Sequence, residues 1–178
     1  MIDIKFKNFT DLDNDEIEMV LKWRNSPEIA NKMNSTTTIE AQEHIDFIKS
    51  LKENSTKLYY LVAKKDSPIG VFSFINIVEG QKAEIGMYLK PELIGSGIGL
   101  EMQYYGMKLG YNKFDFNELL ATVKKSNIEN YLIQIKFGFL LNKIEGDFFK
   151  LTLPKENWKG NLLNFREFRK HIILGAAQ

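Results

Sequence analysis

The chain contains no cysteine. Disulfides, thiolate metal sites and a cysteine nucleophile are excluded together. Long apolar runs are missing as well: none approaches the ~20 residues that span a bilayer. The N-terminal MIDIKFKNFTDLDNDEI lacks the apolar core of a signal peptide. Neither sign of charge dominates. The net charge of +1 leaves no electrostatic footprint for nucleic acid or an anionic membrane. Histidine is scarce, with His44 and His171 far apart and no pair at metal-ligand spacing, so no metal is expected. Internal repeats and low-complexity segments are absent. These absences lead to a soluble cytoplasmic protein with neither nucleic acid nor membrane among its partners.

What remains is ordinary for a globular chain. Hydrophobic residues make up 44% and charged residues 26% of 178, enough to bury a substantial core. A single domain over 1–178 is expected, with 155–178 as a C-terminal helical extension. IDIKFKNF reads as a strand. DNDEIEMVLKWRN has helical spacing, with Asp13 or Asn14 as cap. Pro27 ends that helix or begins a short second one. Thr37 and Glu40 have capping-box spacing ahead of a helix whose stripe is Ile45, Ile48 and Leu51. KLYYLVAKK, PIGVFSFINIV and AEIGMYLK form a β meander with turns at DSP (66–68) and EGQK (79–82). A helix bearing Met102, Tyr105 and Leu109 follows. ELLATVKK is a strand and NIENYLIQIKF a helix stopped by Gly138. FLLNKI and DFFKLTLP make a hairpin around Glu145-Gly146, and NLLNFREFRKHIIL is an amphipathic terminal helix. A βαβ unit inside antiparallel pairing makes this an α/β (α+β) chain. Its expected core is a mixed, mostly antiparallel sheet of about seven strands with helices on both faces.

LKPELIGSGIGLEMQ (89–103) places Gly95, Gly97 and Gly99 on alternate residues where a helix must begin. Glycine costs roughly 0.5–1 kcal/mol relative to alanine in a helix, so an offset is needed. A dinucleotide fingerprint fails at its third glycine, where Leu100 stands. A P-loop fails for want of Gly-Lys-Ser/Thr, and a nucleophile elbow fails because Ile94 and Ile98 flank Ser96. Two readings stay open. The glycines permit tight packing, or they form a pyrophosphate cradle. In the cradle, unpartnered amides at a helix start receive an anion. Gly95, Ser96, Gly97, Ile98 and Gly99 would all donate through the backbone.

The sequence from Tyr88-Leu89 through the glycine loop to the Asn127-led helix resembles the GCN5-related N-acetyltransferase (GNAT) superfamily. Its Gln/Arg-x-x-Gly-x-Gly/Ala motif aligns on Gly95-Ser96-Gly97-Ile98-Gly99, with Ile94 where a basic or amide residue is usual. Trp23-Arg24-Asn25 and EHIDFIKSL, with His44, resemble the branch of ribosomal-protein N-terminal and aminosugar acetyltransferases. Within that branch the likeness is to the nucleotide-aminosugar N-acetyltransferases of pseudaminic acid biosynthesis. The resemblance implies a GNAT fold and acetyl-CoA as cosubstrate. It also implies an aminosugar nucleotide as partner. A homodimer is a candidate assembly that the sequence itself does not decide.

Direct attack of an amine on a thioester needs a placed donor, an oxyanion partner and a base. By the resemblance, the Leu89 amide is the oxyanion donor and also binds coenzyme. Asn127 and Gln134 are placed against the coenzyme arm. Glu84 is the candidate base, on one strand face with Gly86 and Tyr88. Tyr88, Arg24, Asn25 and His44 are candidate acceptor contacts. Structural alternatives stand beside each: a strand glutamate, a packed tyrosine, a core histidine. Gln134 occupies the position of the family's acid tyrosine. Glutamine cannot donate that proton, and Tyr131, one turn earlier, is the candidate substitute. Two other functions remain open: acetylation of peptide or protein N-termini, and a degenerate acyl-CoA-binding module.

Overall fold

A computed structural model describes residues 3–33 and 35–174. Met1, Ile2, Asn34 and the last four residues of the expected extension lie outside that description. Strand β1 spans Ile4–Asn8. Three helices follow: α1 (Asn14–Asn25), α2 (Pro27–Ala30) and α3 (Ala41–Ser50). The meander is β2 (Lys57–Lys64), β3 (Ser67–Val78) and β4 (Lys82–Leu89). Then come α4 (Ile98–Lys113), β5 (Glu118–Lys124), α5 (Ile128–Phe137), β6 (Leu140–Glu145), β7 (Phe148–Pro154) and α6 (Phe165–Leu174). The strands hydrogen-bond in the order β1-β2-β3-β4-β5-β7-β6. β4 and β5 run parallel, in register from Lys82↔Glu118 to Glu84↔Leu120. The pairings β1–β2, β2–β3, β5–β7 and β6–β7 are antiparallel. The mixed, mostly antiparallel seven-stranded sheet expected from the sequence is the one observed.

The chain divides into two compact units. The first comprises the chain up to Ile75 together with Gly86–Met102; the second comprises Asn76–Ile85 together with the chain from Gln103 onward. In the first, Phe9, Val20, Trp23, Ile48, Leu51, Leu61 and Val71 form one buried cluster. Each such side chain contributes about 1.5–3 kcal/mol by leaving water. Asp13 caps α1 with a full capping box: its side chain accepts from the Glu16 amide, and Glu16 accepts from the Asp13 amide. In the second unit Trp158 lies 5.7 Å from the Tyr104 ring and 5.1 Å from Tyr111. Phe168 of α6 stacks edge-on to Phe137 at 5.0 Å. The Tyr111 hydroxyl donates to the Leu153 carbonyl and Tyr104 to that of Leu163, both at 2.7 Å. The described part of the C-terminal segment therefore supplies core to its unit.

Several local expectations are corrected. Ser67 and Pro68 lie inside β3, and the turn is Lys65-Asp66, both at positive φ (48° and 63°). Those angles suit a two-residue hairpin turn. Pro68 is tolerated because the β2–β3 register shifts beside it, from Val62↔Gly70 to Ala63↔Pro68. Thr37 and Glu40 form no capping box, since α3 starts at Ala41 and Glu40 stands at its N-cap without a side-chain bond. The buried stripe of α3 is His44 and Ile48, continued by Leu51; Ile45 is half-buried. In α4 the buried positions include Met102, Tyr104, Met107 and Tyr111, with Tyr105 and Leu109 half-buried.

Candidate active site

The first unit carries the glycine loop. Gly95 and Gly97 sit at φ +83° and +82°, and a Cβ on either would meet nothing within 4 Å. Their glycines are therefore required by backbone conformation. The loop is not under packed protein: residues 95–97 are exposed. Not all five expected amides are available. Ser96 donates its amide to the Leu93 carbonyl at 3.1 Å. Its hydroxyl donates to the same carbonyl at 2.7 Å and accepts from the Ile98 amide at 3.3 Å. The amides of Gly95, Gly97 and Gly99 have no hydrogen-bond partner among the described residues. Alternate amides are thus left for a ligand, and the serine between them holds the loop's shape. Ile94 is 41% exposed and offers no polar group.

Strand β4 leads into this loop. A Cβ on Gly70 would lie 2.3 Å from the Tyr88 carbonyl oxygen and 2.9 Å from the Leu89 Cα. Only glycine lets β3 approach the end of β4 so closely. The Lys90 amide donates to the Ile69 carbonyl at 3.0 Å, beside the same contact. Gly70 thus fixes the backbone that presents Leu89. Sequence reasoning passed over it, although a lone glycine inside an apolar strand signals close backbone approach.

The acceptor candidates of this unit fall on α1, α3 and β4. Arg24 donates through Nη2 to the Ser35 carbonyl at 2.7 Å, while its Nη1 is buried without a partner. Its charge acts on the Tyr59 and Tyr88 phenols, opposing the burial that pushes both upward. Tyr88 packs against the buried cluster with Tyr59 and Phe47. His44 is buried, and its Nε2 also lacks a partner. Burial holds its imidazole below the usual value, so the neutral ring is favoured. A buried polar atom left unpaired costs about 1–3 kcal/mol, and a bound polar ligand offsets that. Asn25 differs: its Nδ2 donates to the Ile39 carbonyl (2.8 Å) and its Oδ1 accepts from the Ile39 amide (3.0 Å). It clips the segment before α3 onto the end of α1. A cleft of about 420 Å³ in the same unit is bounded by Asp15, Glu18, Lys22, Ser26 and Glu92 among others, and its lining includes none of the candidate site residues.

The second unit carries Glu84, Asn127, Tyr131 and Gln134. Glu84 stands at the last β4–β5 pair, half-buried, and accepts from Asn76 Nδ2 at 3.1 Å. Asn127 is the N-cap of α5, with its Oδ1 accepting from the Asn130 amide at 3.4 Å. Tyr131 lies against the Phe149 ring, centroids 4.3 Å apart. Gln134 is buried in an amide network. It accepts from Gln103 Nε2 at 2.8 Å, and its own Nε2 donates to Gln103 Oε1 at 3.3 Å and to Asn130 Oδ1 at 3.0 Å. Gln103 was not legible as its partner, because nothing in helical periodicity marks a buried glutamine. Among the described residues no group of three or more metal-ligating side chains exists, and no helix is long and apolar enough to cross a membrane.

Comparison with known proteins places these elements. The model of the acetyltransferase (GNAT) domain family matches residues 6–140. Acetyltransferase PseH of Campylobacter jejuni subsp. jejuni is 35% identical over 156 residues, covering 88% of this chain and 97% of the relative. The crystal structure of the Campylobacter jejuni N-acetyltransferase PseH in complex with acetyl coenzyme A superposes with a TM-score of 0.72 at 33% identity. It covers 85% of this chain and 99% of that one. Spermidine N-acetyltransferase from Vibrio cholerae, in complex with CoA and spermine, gives a TM-score of 0.77 over 87% of this chain and 97% of its own. At 13% identity that likeness is one of fold alone.

Proposed function

The chain belongs to the acetyltransferase (GNAT) family, and from that premise we propose that it moves acetyl from acetyl-CoA directly to the amino group of a nucleotide-linked aminosugar. The acceptor class is a UDP-4-amino-4,6-dideoxy sugar, as in pseudaminic acid biosynthesis. The observation that carries the reading is the loop at Gly95–Gly99, whose alternate amides are unpartnered, with Gly95 and Gly97 exposed and Gly99 half-buried. Three unpartnered N–H donors at a helix start suit a diphosphate. The likeness to PseH, recorded with acetyl coenzyme A, supports the same assignment.

The roles follow from chemistry. Gly95, Gly97 and Gly99 hold the diphosphate, with Ser96 and Ile98 bracing the loop. The Leu89 amide donates to the oxygen on which charge develops. Glu84 takes the proton of the attacking amine, and Asn76 holds its carboxylate. Asn127 reaches the coenzyme arm through Nδ2. Arg24 and His44, with their unpartnered nitrogens, receive the anionic and hydroxyl groups of the acceptor, Tyr88 shapes its pocket, and Asn25 fixes the segment beside it. Gln134 holds helices α4 and α5 together and supplies no proton. A thiol of pKa ~8.5 leaves tolerably as the thiolate. Tyr131, the phenol carried by α5, is the group that would supply a proton to it. The cytoplasm is the proposed compartment and a homodimer the proposed assembly.

The test is thiol release with acetyl-CoA and UDP-linked 4-amino sugars, against N-terminal peptides as competitor acceptors. Turnover on the sugars alone is expected. Turnover on peptides alone overturns the acceptor. Thermal protection by acetyl-CoA with no turnover on any amine overturns catalysis.

A further inference from the structure

Helix α5 carries an apolar stripe on the side away from its core. Ile128, Leu132 and Ile135 stand at i, i+4 and i+7, which is one helical face. They are 49%, 51% and 38% exposed, while Gln134 and Phe137 face inward. The stripe does not end with the helix. Tyr131 rests on Phe149 of β7, so α5 lies on the Phe149 side of the sheet. Directly paired residues of antiparallel strands share a face, and Phe149 pairs with Ile144 and Leu151 with Leu141. Leu141 and Ile144, 43% and 55% exposed, therefore extend the same surface onto the edge strand β6.

Five aliphatic side chains, each about half exposed, leave an apolar patch on the order of 400 Å². That is about half of the roughly 800 Å² each partner gives to a stable interface, close to the apolar share such interfaces have. The rim decides what fits. Glu129 and Lys136 are exposed, have no ion-pair partner among the described residues, and lie seven residues apart on the flank of the stripe. Two antiparallel copies of α5 crossing at Leu132 bring Glu129 of each opposite Lys136 of the other, and Ile128 opposite Ile135. The pattern is complementary to itself. The strand edge is less suited to the role. The β6–β7 register shifts between Leu141 and Lys143, leaving Asn142 as a bulge, and bulges oppose edge-to-edge pairing.

We propose that the Ile128–Leu132–Ile135 face, flanked by Leu141 and Ile144, is a twofold interface with a second copy of this chain. The inference deepens only the homodimer reading and includes no residue assigned to coenzyme or acceptor. A monomer that still acetylates would sink the interface and leave the chemistry standing.

The test is sedimentation velocity of the full chain across a concentration series. Wild type is expected at twice the 20.6 kDa chain mass. Leu132→Glu, at the centre, should raise the dissociation constant roughly a hundredfold, with turnover and melting temperature of the resulting monomer little changed. Glu129→Lys and Lys136→Glu should each weaken self-association several-fold through rim repulsion. Mixing these two variants should restore dimers, because each then meets its opposite charge. A wild-type monomer at high concentration, a Leu132→Glu variant that stays dimeric, or no heterodimer on mixing would each overturn the proposal.

Discussion

Gln103 and Gln134 hold each other by both ends of their amides, at 2.8 and 3.3 Å, in the buried interior of the second unit. Asn130 takes the remaining Gln134 proton at 3.0 Å. Where the family resemblance places an acid phenol, this chain has a closed hydrogen-bonded clasp. A buried amide whose partner is removed loses more than the bond is worth. Gln134→Leu should therefore destabilise the fold by about 1–3 kcal/mol. Gln103→Leu with Gln134→Leu should cost less than the two single changes summed, since no glutamine is then left unpaired. Denaturant titration of the three variants checks this. Strict additivity would mean that the clasp contributes nothing.

Gly70 is the second structural requirement. With the Tyr88 oxygen 2.3 Å from where a Cβ would sit, Gly70→Ala must push β4 away from β3. Leu89 moves with it. The expected outcome is a loss of turnover larger than the loss of coenzyme affinity, because the loop at Gly95–Gly99 is not itself altered. Steady-state kinetics with calorimetric CoA binding would separate the two effects. Equal losses in both would place Gly70 in general stability only.

How much of this was legible in sequence depended on the kind of signal. Alternation and turn chemistry located all seven strands, and of the two cap candidates for α1, Asp13 and Asn14, Asp13 is the cap. Pro68 was misassigned to a turn because a register shift, which periodicity cannot reveal, makes room for it in β3. His44 rather than Ile45 is buried with Ile48 on α3, because i, i+4 and i, i+3 spacings both lie on one helical face and periodicity alone does not choose between them. The glycine loop was visible from spacing alone. Which of its amides are engaged was not, because that depends on Ser96 folding back onto Leu93. Gly70 and Gln103 owe their importance to chain segments distant in sequence, which no local pattern encodes.

The buried imidazole of His44 makes stability depend on pH. Its folded value lies below the ordinary 6.5. Between the two values the unfolded chain binds the proton and the folded chain does not, so stability falls as pH drops below about 6.5. Thermal melts from neutral to mildly acidic pH should show a steeper loss for wild type than for His44→Leu. Parallel curves would mean that another group sets the acid response.

Arg24 should act on acceptor binding more than on chemistry. Arg24→Lys loses the planar fork and should raise the acceptor KM roughly tenfold to a hundredfold, with a smaller change in kcat. Glu84→Gln should do the reverse, lowering kcat by about 10²–10⁴ with acceptor KM little changed. Initial-rate kinetics over both substrates distinguishes these patterns. A kcat unaffected by Glu84→Gln would remove it as the base.

The proposed chemistry stands on the amides of Gly95, Gly97 and Gly99 receiving the paired phosphates of the coenzyme. Amide-resolved NMR of the nitrogen-15-labelled chain during CoA titration tests it most directly. These three resonances should move downfield together and more than those of Ser96 and Ile98, whose amides are already engaged. Coenzyme binding that saturates while the three glycine resonances stay unmoved would contradict it.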